Sequence, residues 1–151
     1  MAWSNSKIFM AYVEDSLENT AALDIDGDTI KNALFDNTIT PSQTVATAST
    51  VYGAGVWASG GVSDAVSWPA VGRDLAGKAS SFTSNVYTFD ATDTTSADAT
   101  TDLTNVYGCL IYDDTTGDQG VCFLYLGGAN SVVSGTFTVV YHASGIFALT
   151  L

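Results

Sequence analysis

The last third of the chain constrains the fold most. Val106 to Tyr112, Gly120 to Leu126, Gly135 to Tyr141 and Ile146 to Leu151 are four apolar runs of six or seven residues. Between them lie DDTTGD, GGANS and HASG. Runs this short, rich in Val, Ile, Phe and Tyr and bounded by Gly, Asn, Asp and Ser, read as strands joined by turns. Composition agrees: of 16 acidic residues only Glu14 and Glu18 are Glu, so the acids are turn formers rather than helix formers. An all-β single domain follows, as a β-sandwich or a small barrel.

Upstream, the SKIFMAYVEDSL segment places Phe9, Tyr12, Val13 and Leu17 at helical spacing, with Ser6 as N-cap. One short N-terminal helix is expected, in a segment 1–18 that precedes a β domain over 19–151. Thr29 to Phe35 reads as a strand, and 40–50 as a loop. Ser80 to Ala91 reads as two strands about Ser84-Asn85. VYGAGVWASGGVSDAVSWPAVGRDLAG reads as irregular strands on Gly turns, with Tyr52, Trp57 and Trp68 closing the core. DATDTTSADATTD reads as a solvated connection.

The stretch LDIDGDTI, with Asp24, Asp26 and Asp28, raises the question of calcium. An EF-hand loop needs Gly at its sixth position and Glu at its twelfth; counted from Asp24 these are Thr29 and Phe35. Asp-Gly between apolar residues is instead a tight-turn signal. The later loop with Asp113, Asp114 and Asp118 likewise reads as solvated turn carboxylates, and no metal site is assigned.

Other chemistry is sparse. His142 is the single histidine, and it precedes a turn between strands. Cys109 and Cys122 lie inside apolar strands, where thiols are inert. A four-residue loop over 114–117 would set Asp113 opposite Asp118 and Cys109 opposite Cys122. A disulfide is then conceivable, though two buried thiols suit a reducing cytosol better. No phosphate-binding glycine loop occurs, so no catalytic residue and no cofactor are implied. Four cations (Lys7, Lys31, Arg73, Lys78) within a net charge of −12 argue against nucleic acid and against an anionic membrane as partners. No apolar run approaches a membrane span, and the N-terminus lacks a secretory leader's pattern.

The order of features carries a resemblance: AWSNSKIF at the start, DTIKNALF near residue 30, Tyr52, GVSDAVSWPAVGRDLA, VYTFDATD, YGCLIYDD, and SGTFTVVYHASGIFALTL. Over nearly its whole length the chain resembles small minor capsid, decoration or cement proteins of tailed bacteriophages, notably phages of actinobacteria. Asn32 departs from the pattern, standing where an apolar or small residue is expected. The resemblance implies a structural, non-enzymatic protein made in the host cytoplasm and bound to the virion's capsid exterior. Its partner would be the major capsid protein, and it would form a small homo-oligomer, with a trimer suited to three-fold positions. Trp3, Ile8 and Phe9 are the candidate capsid contacts, on a docking arm, with burial in the domain's own core as the competing reading. Two rivals stand beside this. One is a tail-tip or fibre module that stacks glycan on Trp57, Trp68, Tyr52 and Tyr107. The other is a cell-wall hydrolase, which lacks a usable His, Glu or metal constellation.

Overall fold

The computed structural model describes residues 3–19 and 22–150. Along the chain run β1 (Lys7–Ile8), α1 (Met10–Glu18), β2 (Ile30–Phe35), β3 (Gly61–Val62), β4 (Arg73–Asp74), β5 (Ala79–Thr83) and β6 (Val86–Asp90). Then come β7 (Thr94–Thr95), β8 (Thr101–Asp113), β9 (Gln119–Gly135), β10 (Thr138–Val139) and β11 (Phe147–Thr150). Two 3-10 turns, Thr47–Ser49 and Gly55–Ala58, interrupt the connection between β2 and β3.

All pairing among the described residues is antiparallel, in three sheets. The largest has the order β1-β9-β8-β2-β3, with β4 also on β2; beside it stand β11-β6-β5 and the ribbon β10-β7. The mostly-β expectation with one short helix therefore holds. No sheet closes on itself, so the barrel alternative is set aside. Residues of all three sheets contribute to a single apolar core.

The hairpin β5-β6 turns where expected, because Ser84 (φ 52°) and Asn85 (φ 64°) take the left-handed conformation a two-residue hairpin loop demands. LDIDGDTI is a turn: the Gly27 N–H donates to Asp24, and the Asp24 N–H to Asp28 Oδ2 at 2.9 Å.

The helix starts later than its spacing suggested. Ser6 does not cap it; its hydroxyl accepts the Tyr125 N–H at 2.9 Å, and Lys7–Ile8 pair with Phe123 and Cys122. Phe9 is the extended cap residue, its N–H donating to Val121 O at 3.0 Å, while the Met10 N–H finds Gln43 O. Strand pairing outcompetes one more helical turn because it satisfies the same backbone groups and buries Phe9. Leu17, placed by periodicity with Phe9 and Tyr12, is 82% exposed.

Three further expectations change. GGANS is no turn: β9 runs through it, with Gly127 (φ 81°) and Gly128 (φ 142°) accommodating a distortion of the strand. The 90–102 connection is not uniformly solvated, since Thr94, Ser96 and Thr101 are buried. The turn after β8 holds five residues, so Asp113 faces Gln119, and a second extra residue enters between Ile111 and Tyr112. Cys109 therefore sits opposite Leu124 and Cys122 opposite Ile111, and both thiols are free.

Asn32 explains its own presence. It is fully buried, and its Nδ2 donates to the Tyr141 hydroxyl at 2.8 Å, which shares a 2.8 Å hydrogen bond with Thr94 Oγ1. One polar residue on β2 thus ties the largest sheet to the β10-β7 ribbon through its Nδ2, while its Oδ1 is buried without a hydrogen-bond partner.

Candidate interaction groove

The N-terminal aromatics divide cleanly from Ile8. Trp3 and Phe9 are fully buried, and the indole N–H of Trp3 donates to Asp36 O at 2.7 Å. Around them stand Trp57 and Phe123, with ring centroids 6.0 and 6.1 Å from Trp3 and 6.1 and 5.4 Å from Phe9. Phe35 closes the cluster at 5.0 Å from Trp57. These edge-on and tilted contacts are the preferred geometry of aromatic pairs. The N-terminal segment is therefore a paired edge of the sheet and a piece of the core. In this folded chain Trp3 and Phe9 are core residues, which is the competing reading of the docking arm.

Ile8 is half-buried. With Tyr12, Val13 and Leu17 it forms one wall of a groove of about 210 Å³, whose other lining includes Leu23, Ile25, Tyr87, Phe147 and Leu149. The groove exists because α1 packs with Tyr12 inward and leaves Val13 and Leu17 facing the β11-β6-β5 sheet without covering it. Each helix and turn segment that lines it also carries exposed acids: Glu14 and Glu18 on α1, Asp24 and Asp26 beside Leu23 and Ile25. Most cations are spent elsewhere. Lys31 pairs with Asp114 at 3.2 Å and Asp74 at 3.9 Å, Arg73 donates to Ser67 O, and Lys78 donates to Asp28 O. Hydropathy alone could have flagged Leu17 and Leu23, but not Phe147 and Leu149, which reach the same groove only through the sheet.

The residues of the rival readings lie otherwise than those readings require. Trp57 and Trp68 are buried, the latter donating from Nε1 to Asn32 O at 3.2 Å. Tyr52 is stacked on Tyr112 (4.9 Å, 8° between planes), its hydroxyl donating to Ala70 O. Tyr107 borders an open hollow with Asp36, Asn37, Thr38 and Asn105, and an edge of Trp57 lines another with Val45, Ser49 and Val56. These rings make no stacking platform. His142 Nδ1 accepts the Ser144 N–H within its turn. Burial pushes the Cys109 thiol up to about 12 and that of Cys122 well above its ordinary value, so neither thiolate is accessible. Asp26, fully exposed, is held below the usual carboxylate range, chiefly by the hydroxyl of Ser80, which donates to it at 2.6 Å. Among the described residues no three His, Cys, Asp or Glu side chains are gathered as a metal site, and no helix is long and apolar enough to cross a membrane.

No protein-family model, no curated protein and no solved structure matches the chain.

Proposed function

We propose that this protein is a structural virion component that binds the outer surface of a phage capsid and cements neighbouring capsomers of the major capsid protein. The observation that carries the reading is the groove between α1 and the β11-β6-β5 sheet: apolar inside, flanked by acids, and set on a chain of net charge −12. Such a surface fits an apolar segment bearing Lys or Arg, and it repels packaged DNA. The order of strand and turn motifs noted in the sequence supports the same assignment. The contact surface passes from Trp3 and Phe9 to Ile8 and its groove neighbours.

Cementing is a linkage effect. A protein that binds only the expanded shell stabilises that state, and repetition over the lattice multiplies each site. A stable contact would bury roughly 1,000–2,000 Å² per copy, counting groove and surroundings. A trimer about three-fold positions would match the shell's symmetry.

The test is co-sedimentation with expanded shells that lack the protein, counting copies bound per shell. Saturation at a fixed ratio, with a rise in shell melting temperature, is the expected result. Leu17→Asp, on a side chain that is 82% exposed, should leave the fold intact and abolish the binding. Absence of co-sedimentation at micromolar wild-type protein would end the cement reading, whereas undiminished binding by Leu17→Asp would move the contact away from the groove.

A further inference from the structure

The turn at 24–28 and the loop that joins β8 to β9 meet at two carboxyl groups, and the meeting is unbalanced in charge. Asp113 ends β8, paired between Ile30 of β2 and Gln119 of β9, and its side chain is fully buried. Its Oδ1 accepts the N–H groups of Thr115 and Thr116 at 2.9 and 3.1 Å. Its Oδ2 is buried and has no hydrogen-bond donor. Asp28 sits on the turn that Thr29 joins to this loop, and it acts on the Asp113 carboxyl through its charge and a side-chain hydrogen bond. Two ionised carboxylates in contact, one of them without water, repel each other and forfeit solvation.

From this juxtaposition we infer that Asp113 holds a proton which it donates toward Asp28, and that this proton latches the acidic turn onto the β8-β9 loop in mildly acidic solution. The surrounding contacts fit a latch. The Thr29 N–H donates to Thr115 Oγ1 at 2.9 Å, and the Asp114 N–H donates back to Thr29 O at 2.9 Å. The charged and titratable groups on the neighbouring elements leave the proton necessary. Lys78 spends its ammonium on the Asp28 carbonyl, and Lys31 spends its own on Asp114 and Asp74. Burial first, and then the negative charge of Asp113, raise the pKa of Tyr12 of α1; the Asp24 backbone N–H donates to Asp28. Burial first, and the nearby Asp28 charge next among the raising effects, push Asp113 up to about 6.

The sign follows. A carboxyl whose folded pKa lies above its unfolded value of about 4 contributes stability that is complete below pH 4 and is lost as pH rises through 6. The latch is therefore closed in acid and loosened at neutral pH, whatever partner the protein has.

Asp113→Asn tests it, since the amide keeps the acceptor for Thr115 and Thr116 and supplies a permanent donor to Asp28. The melting temperatures of wild type and variant should coincide near pH 4, and the variant should gain roughly 3–5 °C by pH 7.5. Amide exchange at Thr115 and Thr116, corrected for intrinsic rate, should accelerate above pH 6 in the wild type and not in the variant. Asp28→Asn, in the more accessible partner, should remove the same pH dependence and carries the test should Asp113→Asn fail to fold. A melting difference that is flat with pH, or that favours the wild type as pH rises, would overturn the latching proton. Calcium that raises the wild-type melting temperature at pH 7.5 but not the variant's would overturn it too, in favour of a cation between the two carboxylates.

Discussion

The two halves of the β8-β9 hairpin have the same chain partner and opposite characters. Near the connecting loop, Gly108–Asp113 and Gln119–Phe123 are almost wholly buried. There β2 flanks β8 over its full length from Gly108 to Asp113, and β1 flanks β9 at Cys122 and Phe123. Only one register shift occurs in this half, between Ile111 and Tyr112. Farther out, Thr101–Val106 and Leu126–Gly135 form a ribbon that pairs with no third strand among the described residues, and three register shifts break it between Thr101 and Gly108. Leu103 and Val106 still face inward, while Thr104, Asn105, Ser131 and Val133 face out. Neighbours on both edges demand a continuous apolar sequence and hold register. A lone two-stranded ribbon tolerates alternation and lets bulges set its twist. The difference lies in what stands beside the ribbon, not in the ribbon's own pairing.

Trp3 should separate the halves most strongly. Its indole is fully buried at the start of the inner half, so Trp3→Ala should cost about 3–5 kcal/mol in denaturant unfolding. A cost below about 1 kcal/mol would mean that the N-terminal edge detaches without loss, and would revive the docking arm. Next in size is Gly108→Ala. The added methyl carbon would sit 2.6 Å from Leu124 O and inside the Trp3 ring contact, so neither face of the strand can yield easily. A loss of about 1–3 kcal/mol is expected, from overpacking rather than from a cavity. Combining the two substitutions should recover part of the Gly108→Ala loss, because removing the indole vacates the space the methyl needs; strict additivity would show that the Leu124 carbonyl is the real obstacle.

The inner half was largely legible from sequence and the outer half was not. GCLIYD and GVCFLYL are continuous apolar runs, which is what a strand buried on both faces must be, and both were read as strands. Their register was misjudged by two residues: Gly117 (φ 67°) and Asp118 (φ 62°) allow a five-residue loop that composition cannot tell from a four-residue one, and the bulge between Ile111 and Tyr112 adds the second. The Gly-Gly-Ala-Asn of the outer half is the ordinary signature of a turn; only the presence of β8 alongside makes it a bulged strand. Leu17 misled for a related reason, since helical spacing presumes that the apolar stripe has something to cover. Asp113 is the subtlest case: a turn carboxylate is normally solvated, and its burial comes from Ile30, Gln119 and the 24–28 turn, all distant in sequence. The groove shares that origin, for its two walls come from residues 8–25 and 87–149.

The outer half offers the finer tests. Asn130 is a polar clamp there, beside Ser131 and Asp102, which accept the Asn105 and Ser134 N–H groups: its Nδ2 donates to the carbonyls of Gly128 at 2.9 Å, Leu126 at 3.2 Å and Val106 at 3.3 Å. Asn130→Ala should cost about 1–2 kcal/mol, and amide exchange should show the loosening confined to residues beyond Gly108 and Tyr125. Val133 gives the smallest effect and the sharpest distinction. It is 80% exposed on a strand with no outer neighbour, and Val133→Thr keeps the branched side chain that a strand prefers. Its stability should shift by no more than about 0.5 kcal/mol as an isolated chain. The side chain is mostly in solvent, so a larger loss in dilute solution would mean that the outer ribbon is already covered by a second copy. An unchanged chain that nevertheless packs differently on shells would place that ribbon, alongside the groove, in the contact with the lattice.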